Sequence, residues 1–535
     1  MNVRASWLRD ERLGFLWVLF AILVLAAGVR VGFAGRHYLW VDELFSLAIA
    51  TGHSLEHPAA TAKPALGDFV ESDRALPANE LRRYLQHDNP PAGIDRVLRA
   101  VLLSDTSPPL YYVCLYWWTR CFGTSDMVLR LFSTTCSLIC LPFIALIGDQ
   151  VAGRRAALCA SVLFAFSPLS IFYSTEGRMY ALLWLCVVVV IWATLRLRRE
   201  GGINWALLWV LASAAGFLTH YFFAFVWAAI VVILFCNSGQ LSWKVILLCV
   251  VATGLLILPW YIDVPRSLHG WRITKDWLYF VPRGFHRAKM ALILGTQFFS
   301  GYEKHLWPGF RFSTLASLLL FVAAFALALW RLGWTIFNWQ IGLLWLSLAA
   351  ACAGPIVFDL VLHTYTVAVP RYAIAGLPAA YLLAGVALAC LRIRTRVTLL
   401  ALILVTWMPN LYFLYRAPSR NYSALGEVGR AVNQEGQPFD LVLVHSIPSG
   451  VLGVARYSNQ PAPIASWVGQ LGNRQVPRSI LALAAGRARI LFVKVHEVGE
   501  PAPEESWLRE HADVVRELRT GATLVEFRPR GAGSF

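Results

Sequence analysis

The stretch LGFLWVLFAILVLAAGVRVGFAGRHYLWVDEL, residues 13–44, decides how the chain is read. Its first part, 13–33, is an apolar run of the length a helix needs to cross roughly 30 Å of hydrocarbon. Trp40 follows, at the level where amphipathic rings settle at a membrane interface. Two adjacent carboxylates, Asp42 and Glu43, come next and open a short amphipathic segment. The run is preceded by the basic MNVRASWLRDERLG, and no small-residue cleavage site precedes Trp40. It is therefore predicted to be a retained first span and not a removed signal peptide.

The pattern repeats. Apolar blocks lie at 13–33, 126–147, 156–172, 178–195, 204–219, 221–236, 244–261, 312–331, 336–354, 373–391 and 397–414, which predicts about eleven transmembrane helices. The whole chain of 535 residues is 58% hydrophobic and 15% charged, as a polytopic membrane protein would be. Many of its 22 Trp and 31 Phe fall at block ends. The net charge of +16 would suggest nucleic acid in a soluble chain, but much of the Arg sits in short loops between spans, so no nucleic-acid partner is expected. Nearly all of the ten Cys lie inside apolar runs. That excludes a disulfide framework and a cysteine zinc site, and each reads as a small buried apolar residue.

Parity orients the spans. With Arg4, Arg9 and Arg12 in the cytoplasm, the loops holding Arg154–Arg155, Arg196–Arg198–Arg199, Lys244, Arg331 and Arg392–Arg394–Arg396 all fall inside. The opposite side receives 34–125, 173–177, the turn at His220, 262–311, 355–372 and everything after 415. SPPLYYVCLYWWTRCFG, 107–123, resists: counted as a span it would reverse every later loop. It is read as a juxtamembrane or re-entrant helix starting at Pro108–Pro109. The expected organisation is a membrane catalytic domain, 1–415, whose outer loop 35–125 carries juxtamembrane helices, followed by a small soluble α/β domain, 416–535. FDLVLVH (439–445) and RILFVKV (489–495) read as buried strands there, with helices around 422–434 and 503–511. There is no GxGxxG, Walker sequence, internal repeat or heptad.

Three clusters of polar residues need explaining. At Asp42–Glu43, Asp42 either caps a short helix 43–50 or serves as a base. Neighbouring residues on a helix point about 100° apart, so one pocket would not use both carboxylates equally, and Glu43 is left to steer or hydrogen-bond. In YSTEGRMY, 173–180, Glu176 and Arg178 either pair to close the turn or build an anion site flanked by Tyr173 and Tyr180. In HTYTVAVPRY, 363–372, Arg371 and Tyr372 stand before the tenth span, where the Arg either snorkels or meets an anion. Arg30, His220 and Lys63 are lesser candidates, His220 being equally a structural residue among aromatics. An anion site beside a carboxylate base suggests group transfer from a lipid phosphate, since fixed cations in a water-excluded pocket stabilise the charge of a leaving phosphate.

LWVDELFSLA, SPPLYYVCLYWWTRCFG, VLRLFSTTCSLICLPFIALIG, FSPLSIFYSTEGRMYAL, THYFFAF and PRYAIAGLPAAYLLAG resemble, in that order, the GT-C glycosyltransferases of the family 39 kind. These are the bacterial relatives of protein O-mannosyltransferases and of the aminoarabinose lipid A transferase. The likeness covers roughly residues 15–390. It implies an α-helical polytopic membrane protein of GT-C fold with a periplasmic C-terminal domain, in a bacterial inner membrane, N-terminus in the cytoplasm. It implies an inverting transfer of a monosaccharide from a polyprenyl-phosphate donor to an acceptor hydroxyl on a glycolipid, polysaccharide or protein at the periplasmic face. Carried over, the first-loop aspartate of the family is Asp42, the base. Arg178 and Arg371 would hold the polyprenyl phosphate, with Glu176 orienting Arg178 or a sugar hydroxyl, and with Tyr180, Tyr372, Arg30 and His220 at the donor. No nucleotide cofactor is implied and no metal cluster is visible; a single carboxylate-bound divalent cation stays open. The chain departs from the pattern at Ser107, where relatives often have His, and at STEGR, where they often read SQEAR.

Two other readings compete. A transporter or flippase of a lipid-linked saccharide would show mid-span ionisable residues, broken helices or repeats; here the unusual polar residues gather on one predicted face. An inactive assembly scaffold would not need Asp42.

Overall fold

The computed structural model describes residues 2–105, 107–239, 241–270, 286–301, 311–416, 424–434, 439–496, 501–519 and 521–530. Every predicted span coincides with a helix or a bent pair of helices. Among the described residues seven are long and apolar enough to cross a membrane: Leu13–Ala34, Asp126–Ala152, Tyr180–Glu200, Trp243–Ser267, Phe312–Phe337, Trp339–Leu362 and Ile393–Arg416. Arg154–Phe166 and Pro168–Ser174 make an eighth if counted as one span bent by 60°. The other three predicted spans, Ile203–Phe217, Phe223–Cys236 and Ile374–Ala389, are shorter. The segment that resisted assignment is a 13-residue helix, Leu110–Phe122, with Pro109 at its N-cap. A helix not anticipated, His286–Ser300, lies within the predicted outer segment 262–311, much of which falls outside the described residues.

The chain divides into two compact units, and the division does not follow the composition shift near residue 415. The first unit holds Met1–Arg36, Arg130–Ile262 and Leu278–Arg416; the second holds His37–Leu129, Asp263–Trp277 and Ala417–Phe535.

The first unit is a helical bundle around Leu377–Ala389, whose side chains are almost all buried. This helix packs on Arg154–Phe166 through small residues, as membrane helices do when dispersion replaces the hydrophobic drive. A Cβ on Gly385 would lie 2.8 Å from the Ala156 carbonyl oxygen and 2.8 Å from the Ala160 Cβ. Two large polar side chains of this core are hydrogen-bonded. Tyr381 donates to the Phe298 carbonyl at 2.8 Å and also bonds Ser167, and Trp184 donates to the Ile374 carbonyl at 2.8 Å. On the perimeter, Leu247, Leu248, Val251, Leu255 and Leu256 of Trp243–Tyr261 are exposed, which suits a lipid-facing surface.

The second unit is built on a five-stranded sheet ordered β2-β1-β3-β5-β4, with β1 (Leu441–His445), β2 (Ile464–Trp467), β3 (Ile490–Lys494), β4 (Ala512–Arg519) and β5 (Thr523–Pro529). β1 pairs in parallel with β2 and β3, while β5 runs antiparallel to β3 and β4. Both predicted strands and the predicted helices, Leu425–Asn433 and Pro503–His511, are present; residues 422 and 423 lie outside the described set. β2, β4, β5 and the helix Pro448–Tyr457 were not anticipated. β4 is an exposed edge carrying Asp513, Arg516, Glu517 and Arg519, charges that discourage pairing with another chain. Leu441, Leu443, Phe492, Val525 and Phe527 form its core with Trp467 and Leu508.

The segment after the first span is part of this unit. Leu76 exchanges backbone bonds with Ile464 of β2 at 2.8 and 2.7 Å. Asp126 accepts from Arg456 Nε at 2.8 Å and from the Tyr457 hydroxyl at 2.6 Å. Glu71 is buried and accepts from the Val468 N–H at 2.8 Å. Burial pushes its carboxyl up to about 7, against the Val468 and Arg474 interactions that pull it down.

Two outcomes are expected. Gly385→Leu overpacks the central helix contact and lowers the thermal midpoint in detergent, a loss of about 1–3 kcal/mol. Because the folded state holds the Glu71 proton more tightly than the unfolded chain, that stabilisation is full below about pH 4.5 and is lost as pH rises to about 7. Glu71→Gln should therefore exceed the wild type in unfolding free energy above pH 7, by about 1–3 kcal/mol, with the gap closing below about pH 5.

Candidate active site

In the first unit the site grows from a broken helix. Pro168 cannot donate to the carbonyl four residues back, so the helix Arg154–Phe166 ends and Pro168–Ser174 leaves at 60°. YSTEGRMY follows the break. Arg178 N–H donates to the Glu176 carbonyl at 2.8 Å, closing a tight turn across Gly177. The neighbouring helix Asp126–Ala152 pins both ends: Thr134 donates to the Ser174 carbonyl and Ser133 to the Arg178 carbonyl, each at 3.0 Å. Glu176 and Arg178 are both buried, at 1% and 8% exposure, so neither serves as an ordinary solvated surface charge.

Three segments far apart in sequence then meet through their rings. Tyr173 and Tyr180 are 5.0 Å apart, centroid to centroid. Tyr180 lies 6.4 Å from His220, and His220 lies 6.4 Å from Tyr372. Phe222 packs on Tyr372 at 5.1 Å. The predicted residues Tyr180, His220 and Tyr372 thus share one aromatic wall. His220 Nδ1 accepts the Phe222 N–H at 3.2 Å, which leaves Nε2 as the nitrogen that carries the proton in the neutral ring. Arg371, half-buried, holds its guanidinium 5.6 Å from the Tyr372 ring centre.

Arg30, which the resemblance puts at the donor, has all five of its N–H donors engaged inside the bundle. Nε donates to Ser137 Oγ at 3.3 Å, Nη1 to the carbonyls of Ala26 (3.4 Å) and Ala165 (2.7 Å), and Nη2 to the Phe164 carbonyl (3.2 Å) and Ser170 Oγ (2.9 Å). A guanidinium has no sixth donor for a phosphate. Lys63 is an exposed residue of the second unit whose backbone N–H bonds Asp68 at 2.7 Å.

In the second unit Asp42 and Glu43 lie in the first turn of Val41–Ala50. The structure separates them. Trp40 is the N-cap, and the fully buried Glu43 accepts the Trp40 N–H at 3.1 Å. The capping role considered for Asp42 therefore falls to Glu43, through the reciprocal half of a capping box. Asp42 is half-buried and lies within electrostatic range of His496, just after β3. Desolvation lowers the His496 pKa and Asp42 raises it. His496 has φ 51°, in the left-handed region that a non-glycine residue seldom adopts. Nothing in the sequence pointed to His496.

Among the described residues no group of three or more His, Cys, Asp or Glu side chains is placed to hold a metal ion.

Comparison with known proteins gives the fold. Residues 106–262 match the family model "Dolichyl-phosphate-mannose-protein mannosyltransferase". The fold matches ArnT from Cupriavidus metallidurans in the apo state with TM-score 0.58 and 12% identity, over 96% of this chain and 98% of that one. The same protein bound to undecaprenyl phosphate gives TM-score 0.59 and 13% identity over the same shares. No curated protein matches the chain. The chain therefore has the fold of ArnT, a helical protein whose apolar helices are long enough to cross a membrane several times, with a small C-terminal sheet domain.

The placement of Arg30 is testable. Arg30→Met strands the Phe164 and Ala165 carbonyls and should cost about 2–4 kcal/mol in chemical unfolding. The protein that remains folded should bind a polyprenyl phosphate with unchanged affinity; a weakened affinity would return Arg30 to the donor site.

Proposed function

We propose that the protein transfers a monosaccharide from a polyprenyl-phosphate donor to an acceptor hydroxyl, with inversion, at the periplasmic face of a bacterial inner membrane. The observation that carries this reading is the aromatic wall of Tyr173, Tyr180, His220 and Tyr372, formed from three separate turns and bearing Arg178 and Arg371 in the same segments. Rings offer faces to a sugar, and guanidinium groups match the oxygens of a phosphate. The matched family's name and the ArnT structure with undecaprenyl phosphate both concern lipid phosphates, which supports the choice of donor. The orientation rests on the short basic loops, which fall on one side when the N-terminus is cytoplasmic. In this reading the segment after about residue 415 is periplasmic.

In this mechanism Asp42 takes the proton from the acceptor hydroxyl as that oxygen attacks the anomeric carbon. The bond from the anomeric carbon to the phosphate oxygen breaks, its electron pair leaves with the polyprenyl phosphate, and the sugar is inverted. Arg178 and Arg371 hold the phosphate and stabilise the charge it gains. Glu176 orients Arg178 or a sugar hydroxyl. Tyr180, Tyr372 and His220 line the sugar. Glu43 fixes the helix turn that carries Asp42.

The test uses purified wild type and Asp42→Asn, a panel of labelled polyprenyl-phosphate sugars, and an envelope extract as acceptor. Loss of transfer by about 100-fold or more, with donor binding kept, is the expected result. Equal transfer by both proteins would remove Asp42 from the chemistry and move the base to Glu43 or Glu176.

A further inference from the structure

The helix Trp339–Leu362 carries one carboxylate, Asp359, and that residue is fully buried. A carboxylate in such a place is strongly disfavoured unless its oxygens are hydrogen-bonded, and an ionisable residue within a span is a functional candidate by default. Asp359 is well bonded. Oδ1 accepts from Thr364 Oγ1, the Thr366 N–H and Thr366 Oγ1, each at 2.7 Å, and Oδ2 accepts from the Val367 N–H at 2.9 Å. All four donors lie in 364–367, the stretch leading directly to Arg371.

The chain between this anchor and Arg371 has little freedom. His363 ends the helix at φ 55° and ψ 38°, a left-handed turn usually left to glycine. A non-glycine residue keeps such a conformation only where its surroundings over-determine it. Val369 N–H then bonds the Thr366 carbonyl at 3.0 Å, Tyr372 N–H the Val369 carbonyl at 3.2 Å, and Ala373 N–H the Pro370 carbonyl at 3.0 Å. Pro370 fixes its own φ. Beyond Arg371, the Ile374 carbonyl is held by the Trp184 indole. Phe358, beside Asp359 in sequence, packs on Phe222, which packs on Tyr372. A glycine at the helix end would make this exit without a buried charge. The residues present cost more and fix more.

We propose that Asp359 is a positioning residue: by gathering 364–367 it sets where the Arg371 guanidinium and the Tyr372 ring stand, and thereby the affinity for the phosphate of a polyprenyl phosphate. The proposal rests on the reading of Arg371 as a phosphate ligand. Asp359 itself touches no substrate. Replacement by Asn keeps one acceptor oxygen but turns an N–H toward Val367 N–H, so the anchor loosens without a change of shape.

The experiment is a double-mutant cycle on the full chain in detergent, with undecaprenyl phosphate as the probe. Asp359→Asn, Arg371→Gln and the double variant are compared for lipid-phosphate affinity, thermal midpoint, and donor KM against kcat. Each single change should weaken binding about 10-fold, and the double variant should bind no more weakly than Arg371→Gln alone. Donor KM should rise in Asp359→Asn, with kcat falling less than in Arg371→Gln, which also loses a group that stabilises the charge on the leaving phosphate. Thr366→Val, which removes one of the four bonds and leaves the carboxylate, should move affinity the same way by less, and carries the same cycle should Asp359→Asn fail to fold. A lower thermal midpoint with unchanged affinity, or losses that add in full across the cycle, would overturn the positioning role. Wild-type affinity in Arg371→Gln would instead overturn the phosphate reading beneath it.

Discussion

The constraint on which the first unit depends is the hydrogen bonding of a helix that stops inside the bundle. The last carbonyls of Arg154–Phe166 have no partner in their own helix, and no water in the hydrocarbon would replace one. Arg30, from the first span, reaches the Phe164 and Ala165 carbonyls and ties them to Ser170 of the next helix. Without that guanidinium the 60° bend would leave buried acceptors stranded. With it, the chain can turn and present Glu176, Arg178 and Tyr180 at a defined place. Arg30, fully buried, is thus the support of the turn.

This explains what the sequence could and could not reveal. Apolar blocks announced the helices because bilayer thickness sets a length that composition must meet. The candidate segments stood out because charges amid apolar runs are rare. Yet depth alone does not separate the roles of two arginines. Arg30 and Arg371 look alike in sequence; only the partners placed around Arg30, 107 to 140 residues away, show it as structural. Asp359 does leave a signal in the sequence, a carboxylate in VFDLVL, but nothing in that stretch says which backbone groups it meets.

The second unit was less legible. β1 and β3 are buried runs of five and read plainly. β4, ADVVRELR, exposes nearly every side chain and shows no clean alternation, since an edge strand has no second layer to bury against. The contribution of 37–129 could not be read at all: the Leu76–Ile464 backbone pairing joins residues nearly 400 positions apart and depends on no side-chain pattern. The neighbouring carboxylates Asp42 and Glu43 illustrate the same limit. The sequence offers Asp42 as the cap, and the backbone of Trp40 decides for Glu43 instead, by lying where Glu43 can reach.

A common logic links Arg30, Glu43 and Asp359. Each is a fully buried charged residue, and each holds a backbone segment where regular helix begins or ends. Burying a charge is unfavourable, and so is ending a helix within a bundle, but the two costs offset each other when the charge meets the orphan backbone groups. Helix ends held in this way are where side chains can be aimed away from the packed faces. Asp42 lies in the turn that Glu43 caps, and Arg178 and Arg371 follow in the chain after the ends held by Arg30 and Asp359. On this view the polar groups of the protein fall into two sets of similar composition: those that hold the breaks in the fold, and those that the breaks put to use.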